Sequence, residues 1–150
     1  MKIRILIITA LIFSFSLSDS NAQLKKSGKI IFQLISISDS EEGPDNKTKT
    51  FAPGRKIWIN LKVSGLEKNQ DDEFKIQADF LMTAPGLKKV LEKGEIINQS
   101  LKALKPDLIL NFWIQTTRET TAGRYNIEIT LKDINAEKYN KYVVSLNLKK

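Results

Sequence analysis

From Lys29 onward the chain alternates apolar and polar side chains with a period of two, segment after segment. "KIIFQLISIS" (Lys29 to Ser38) is the first such stretch. "KIWINLKV" sets Ile57, Ile59, Leu61 and Val63 against Trp58, Asn60 and Lys62. "FKIQADFLMT" places Phe74, Ile76, Ala78, Phe80 and Met82 on one side. "LILNFWIQT" does the same with Leu108, Leu110, Phe112 and Ile114, and "RYNIEITLKD" with Tyr125, Ile127, Ile129 and Leu131. "KYVVSLNLKK" ends the series with Tyr142, Val144, Leu146 and Leu148. Successive side chains of a strand point to opposite faces, so each segment predicts a strand with one face in a core and the other in water.

Turn-forming residues separate these segments: Pro53-Gly54, Ser64-Gly65, Pro85-Gly86, Pro106-Asp107, Ala122-Gly123 and Asp133-Ile134-Asn135. The stretch Gly86 to Leu104 is ambiguous. Leu87, Val90, Leu91, Leu101 and Leu104 suit a helical stripe, but Gly94 interrupts it and Pro85-Gly86 suits a turn. It predicts a hairpin partner strand near Leu87 to Leu91 and irregular chain over 92–107. Six clear strands and one weaker one, about seven, predict an all-β, two-sheet antiparallel sandwich. No long crossover helix is signalled, which disfavours a parallel α/β layout. Neither an internal repeat nor a low-complexity linker marks a second domain.

One residue refines the fold. In "AGRYNI" the small pair Ala122-Gly123 leads into Tyr125 at the mouth of the penultimate strand. An immunoglobulin-like sandwich buries a tyrosine at this place and bonds its hydroxyl to upstream backbone, pinning the corner between sheets. The alternative is an ordinary aromatic strand residue. Phe51, Pro53 and Gly54 before one strand, with Gly123, Tyr125, Ile127, Ile129 and Asp133 along another, complete a pattern. Over roughly residues 50 to 148 the chain resembles bacterial exported immunoglobulin-like or fibronectin-III-like domains. That resemblance implies the sandwich, and adhesion, scaffolding, chaperone-like or carbohydrate-binding roles without choosing among them. Departures are the absent cysteine pair and the placement of Trp58 and Trp113, which exclude close kinship with antibody domains.

The first residues follow another logic. Lys2 and Arg4 precede an apolar run of 13 residues, Ile5 to Leu17, and a polar stretch ending Ser20-Asn21-Ala22. This is the layout of a cleaved secretory signal peptide over residues 1–22, leaving residues 23–150 as one domain. An uncleaved N-terminal anchor is the rival. No cysteine stands at the cleavage point, so a lipid-anchored form is not expected. No second run of membrane length follows, and the chain is expected to be soluble in the periplasm or outside a bacterial cell. With no cysteine anywhere, the domain must hold through its core alone.

Charge and chemistry narrow the function. The chain carries 24 basic and 17 acidic residues, a net +7. Without Lys2, Arg4 and Asp19 it keeps 22 basic and 16 acidic residues, a surplus of +6. A surplus of this kind favours anionic partners or simply keeps a lysine-rich surface solvated. There is no histidine and no cysteine, which removes the usual nucleophilic triads, thiol chemistry and standard zinc sites. No glycine-rich phosphate loop exists. Asp71, Asp72 and Glu73, or Asp39, Glu41, Glu42 and Asp45, are acidic loops that either hold calcium or are merely solvated. Asn46-Lys47-Thr48 and Asn98-Gln99-Ser100 match the glycosylation tripeptide, which arises often by chance.

Trp58 and Trp113 sit out of phase with the core residues of their own strands, and so point to the outer face of a sheet. There they stack on sugars or anchor a protein partner, flanked by Lys56, Lys62 and Arg124. Alternatively the N-terminal segment or residues 92–107 cover them, or the phase slips at a bulge. The expectation is a non-catalytic, cofactor-free module that binds another envelope or extracellular protein through a sheet face or edge. An anionic glycan such as lipopolysaccharide is the second candidate partner, and a carboxylate-pair hydrolase the third reading. Nucleic acid is not an expected partner.

Overall fold

The computed structural model describes residues 29–84, 86, 89–102 and 105–150. The proposed signal peptide and Leu87 lie outside the described residues. Eight strands form two layers: β1 (Ile31–Ser38), β2 (Thr50–Phe51), β3 (Lys56–Ser64), β4 (Glu73–Thr83), β5 (Lys89–Lys102), β6 (Leu108–Gln115), β7 (Gly123–Asp133) and β8 (Lys138–Leu148). One sheet has the order β1-β3-β6 and the other β2-β8-β7-β4-β5. This is an immunoglobulin-like sandwich: the chain crosses between layers at every connection except the β4–β5 and β7–β8 hairpins. No helix among the described residues is long and apolar enough to cross a membrane.

The core consists of the alternating residues that the pattern sends inward. Ile57, Ile59, Leu61 and Val63 of β3 and Leu108, Leu110, Phe112 and Ile114 of β6 face Phe74, Ile76, Ala78, Phe80 and Met82 of β4. Tyr125, Ile127, Ile129 and Leu131 of β7 and Val144, Leu146 and Leu148 of β8 complete the second layer. Burying a large aliphatic or aromatic side chain contributes about 1.5–3 kcal/mol, so this seam supplies the stability that disulfides provide elsewhere. Between the terminal strands, Phe32 packs against Tyr142 with ring centroids 5.7 Å apart. Asn140 Nδ2 donates to Ile30 O at 2.8 Å.

Two elements depart from the sequence expectation. Residues 92–102 are not irregular: β5 pairs with β4 from Glu73↔Lys102 to Thr83↔Lys89. Three strands cannot cover five, so β5 lies at the uncovered margin, and its inward position Gln99, opposite Ile76, is exposed. Alternation weakens where the inner face is only partly covered: Leu101 and Ile97 pack against the core, but Gln99 between them does not. A bulge also breaks its phase, setting Gly94, Glu95 and Ile96 against Asp79 alone. Glu95 adopts φ 51°, and its amide donates to Asp79 Oδ1 at 2.9 Å. The second element is β2, two residues long and parallel to β8, too short to show any period.

Two side chains fasten the loops. Tyr125 is fully buried and its hydroxyl donates to Thr121 O at 2.7 Å, where the chain passes from β6 to β7. Asp133, 1 % exposed, accepts from Glu67 N at 2.8 Å, Asn135 N at 3.1 Å and Ala136 N at 3.3 Å. Asn135 Nδ2 donates in turn to Glu67 O and Glu73 O, each at 2.9 Å. One carboxylate thereby ties the β3–β4 connection to the β7–β8 turn.

Tyr125→Phe removes one hydrogen bond and keeps the ring, so it should lower stability by about 0.5–1.5 kcal/mol in urea unfolding. Asp133→Ala strands several buried amides that bonded a charged acceptor and should cost more, about 1.5–3 kcal/mol. Equal losses for the two variants would refute the role given to Asp133.

Candidate functional site

The outward residues of the two sheets differ in kind. On β4, β7 and β8 they form a paired, charged lattice. Lys132 meets Asp79 at 3.1 Å, Lys141 meets Glu128 at 2.8 Å, and Arg124 donates to Ser145 Oγ at 3.1 Å. A shallow cavity of about 510 Å³ lies here, between Asp79, Lys93, Gly94, Glu128 and Lys141. The Glu95 amide, assisted by the Lys132 ammonium, holds the Asp79 carboxyl below the usual carboxylate range against the opposing effect of partial burial.

The outer face of β1-β3-β6 is rich in aromatic and amide groups and carries one ion pair, Lys62 with Asp107. Register places Trp58 opposite Trp113, Asn60 opposite Asn111 and Lys56 opposite Gln115. The indole centroids are 6.2 Å apart with planes inclined at 50°, a tilted cross-strand pair. The Lys56 ammonium rests over both rings, 4.4 Å from the Trp58 centroid and 3.9 Å from that of Trp113. Such contacts contribute about 0.5–2 kcal/mol, depending on desolvation. Trp58 is only 7 % exposed, whereas Trp113 is half-buried.

A second feature adjoins the aromatic pair. Asn60 is 8 % exposed, and its Nδ2 donates to Ser36 Oγ and to Glu41 O, each at 2.9 Å. The second bond lays the loop after β1 over the sheet. Both amide protons are thereby used, and among the described residues no group donates to the buried Oδ1. Asn60 lines a cavity of about 330 Å³ with Asn111, Ile35, Ile109, Glu41 and Glu42. Ile35 and Ile109 stand at its rim, 46 % and 40 % exposed. Ile35 owes its position to a bulge in β1, between Leu34 and Ser36.

The residues singled out from sequence separate accordingly. Lys56, Trp58 and Trp113 form one cluster. Lys62 shares their face but lies beyond the asparagine row, about 13 Å along the strand from Trp58, and pairs with Asp107 at 2.8 Å. Arg124 belongs to the opposite sheet and does not flank the tryptophans, because β7 pairs with β4 and β8 rather than with β3. The acidic loops do not converge. Asp45 accepts from Ile37 N at 3.0 Å and meets Lys47 at 2.9 Å, and Asp72 meets Lys68 at 2.7 Å. Among the described residues no three acidic groups gather to hold a metal ion. Asn46 Oδ1 accepts from Thr48 N and Oγ1 within its own turn.

The asparagine row escaped the sequence reading, although it leaves a trace. "WIN" in β3 and "NFW" in β6 are mirror images, and antiparallel pairing brings tryptophan to tryptophan and asparagine to asparagine. Asparagine is depleted in strands, so two at matched offsets constitute a signal.

No protein-family model and no curated protein matches the chain. Solved structures do. The alkylpurine DNA glycosylase AlkC of Pseudomonas fluorescens, bound to DNA with an abasic-site analogue, matches with TM-score 0.51 and 10 % identity over 81 % of this chain and 31 % of that one. A family 123 glycoside hydrolase from Clostridium perfringens matches with TM-score 0.53 and 9 % identity over 81 % of this chain and 27 % of that one. A conjugate transposon protein (27–141) from Bacteroides vulgatus has TM-score 0.43 and 7 % identity, over 85 % and 90 % of the two chains. The chain thus spans less than a third of either enzyme, and at these identities the likeness is one of fold.

Lys56→Met keeps the aliphatic stem and removes the charge; it should lower stability by about 0.5–2 kcal/mol and shift tryptophan emission. An emission spectrum identical to that of the unaltered chain would exclude the contact. A second prediction concerns Asp79. Its carboxyl is depressed in the folded state, so its contribution is present above the unfolded pKa and lost as pH falls through the folded one. Asp79→Asn should lower the melting temperature at about pH 7, with the deficit vanishing near pH 2. A deficit of the same size at both values would contradict the assignment.

Proposed function

We propose that the chain is an exported, non-catalytic binding module that takes a protein partner on the outer face of β1-β3-β6. The observation that carries this reading is the contrast between the two outer faces. The five-stranded sheet presents ion pairs to water. The three-stranded sheet presents Ile35, Ile109 and Asn111 around a cavity that Asn60, Glu41 and Glu42 also line, with the Trp58–Trp113 pair beside it. Contact surfaces are depleted of charge and enriched in aromatic groups at their centres, with polar groups that need a partner. Fold alone does not select a task, so the argument rests on this face. The basic head and apolar run of residues 2–17 support export.

Capture by an anionic polymer draws on the +6 surplus. The cations, however, are dispersed: Lys62, Lys68, Lys132, Lys138 and Lys141 each meet a carboxylate. A carboxylate-pair hydrolase has less support still, because Asp133 is engaged by backbone amides and the cavity's Glu41 and Glu42 are exposed loop residues.

The test is capture from an envelope extract on the immobilised chain, at about 0.15 M and about 0.5 M salt. A defined protein should be retained at both, lost with Ile109→Glu, and kept with Lys141→Ala on the opposite sheet. Retention that collapses at the higher salt, with Ile109→Glu unaffected, would overturn the reading in favour of the polymer.

A further inference from the structure

The four edges of the two sheets are protected unequally. Sheets with free edges invite pairing by other chains, and proteins deter it with short strands, bulges, charges or proline. Strand β2 is two residues long, and β1 is broken by its bulge at Ile35. Strand β5 carries a bulge together with Lys89, Glu92, Lys93, Glu95 and Lys102. Strand β6 has none of these devices. "LILNFWIQ" contains no charge, no proline and no glycine, it pairs with β3 over eight consecutive residues without a register shift, and no described strand lies on its other side.

The phase of the free edge can be read from one bond. Thr116 N donates to Arg55 O at 3.0 Å, so this pair, next in register after Lys56↔Gln115, is a hydrogen-bonded one. Antiparallel ladders alternate, and the even-numbered residues of β6 therefore bond to β3. Ile109, Asn111, Trp113 and Gln115 turn their N–H and C=O groups toward the open side. Their side chains all lie on the outer face, around the cavity and the indoles.

We propose that β6 pairs antiparallel with β6 of a second copy of this chain, about a two-fold axis at Asn111, joining two three-stranded sheets into one of six strands. A two-fold axis perpendicular to the sheet keeps outer faces together and must pass through one residue position. At Asn111 the register matches outward-facing backbone groups in every narrow pair, each exchanging two hydrogen bonds. It sets the exposed Ile109 of each copy against Trp113 of the other. It also continues the row Ser36, Asn60, Asn111 across the axis as a ladder of amides, a recurrent stabiliser of stacked strands. A foreign strand would have to reproduce all three matches, whereas a second copy supplies them by symmetry. Joining would leave the Ile35 side of each cavity open, and the test requires no ligand, so this inference is independent of the proposed function.

Sedimentation equilibrium of the purified chain should show a dimer within reach of about 200 µM protein. Asn111→Asp and Asn111→Lys each place like charges face to face at the axis, and each should raise the dimer dissociation constant about tenfold or more. Mixing the two variants in equal amounts should restore a heterodimer, which a folding defect would not allow. A monomeric unaltered chain at the highest concentration, dimers that persist in both variants, or a mixture that stays monomeric would each overturn the proposal.

Discussion

Three strands must seal five. That mismatch in width is the constraint on which the rest of the molecule depends, because the seam between the layers holds it together without a covalent link. Strands β4, β7 and β8 gain fully buried inner faces, whereas β5 buries only Ile96 and half-covers Ile97 and Leu101, leaving Gln99 exposed. The narrow sheet has the opposite consequence. Both β1 and β6 lie at its edges, and β3 between them is buried from Ile57 through Leu61 without a break. A central strand with both faces covered has only side chains to separate its two roles, and here they do: aliphatic groups turn into the seam, while tryptophan and asparagine turn outward.

The legibility of the fold follows from that seam. Wherever an inner face meets the opposite layer, alternation is clean, and Ile57, Phe74, Leu110 and Ile127 can be placed from their spacing alone. The two aromatic phases were readable in the same way, since Trp58 and Trp113 fall on off-core positions. Burial of Trp58 was not, because its cover involves a cross-strand partner and a lysine two residues away, contacts that exist only once register is set. The acidic loop residues Glu41 and Glu42 were visible as carboxylates. Their place at the cavity depends on a side-chain bond from Asn60 to a backbone carbonyl, which no local pattern encodes. Arg124 shows the converse: it is near the tyrosine in sequence, but belongs to the other sheet.

Polar groups inside the structure fall into two classes. Tyr125 is bonded by backbone, Asp133 by three backbone amides with the Lys138 ammonium 3.8 Å away, and both hold connections between strands in place. Asn60 is bonded on one side only. A buried amide left half-satisfied costs stability unless something compensates it, and it sits in the outer face that carries the tryptophan pair.

The first and last strands belong to different layers, yet they touch through Phe32 with Tyr142 and through Asn140 with the backbone of Ile30. Pulling on the two termini would not unzip a ladder one rung at a time. The load would pass across an oily interface and an aromatic rivet, and many contacts would have to yield together.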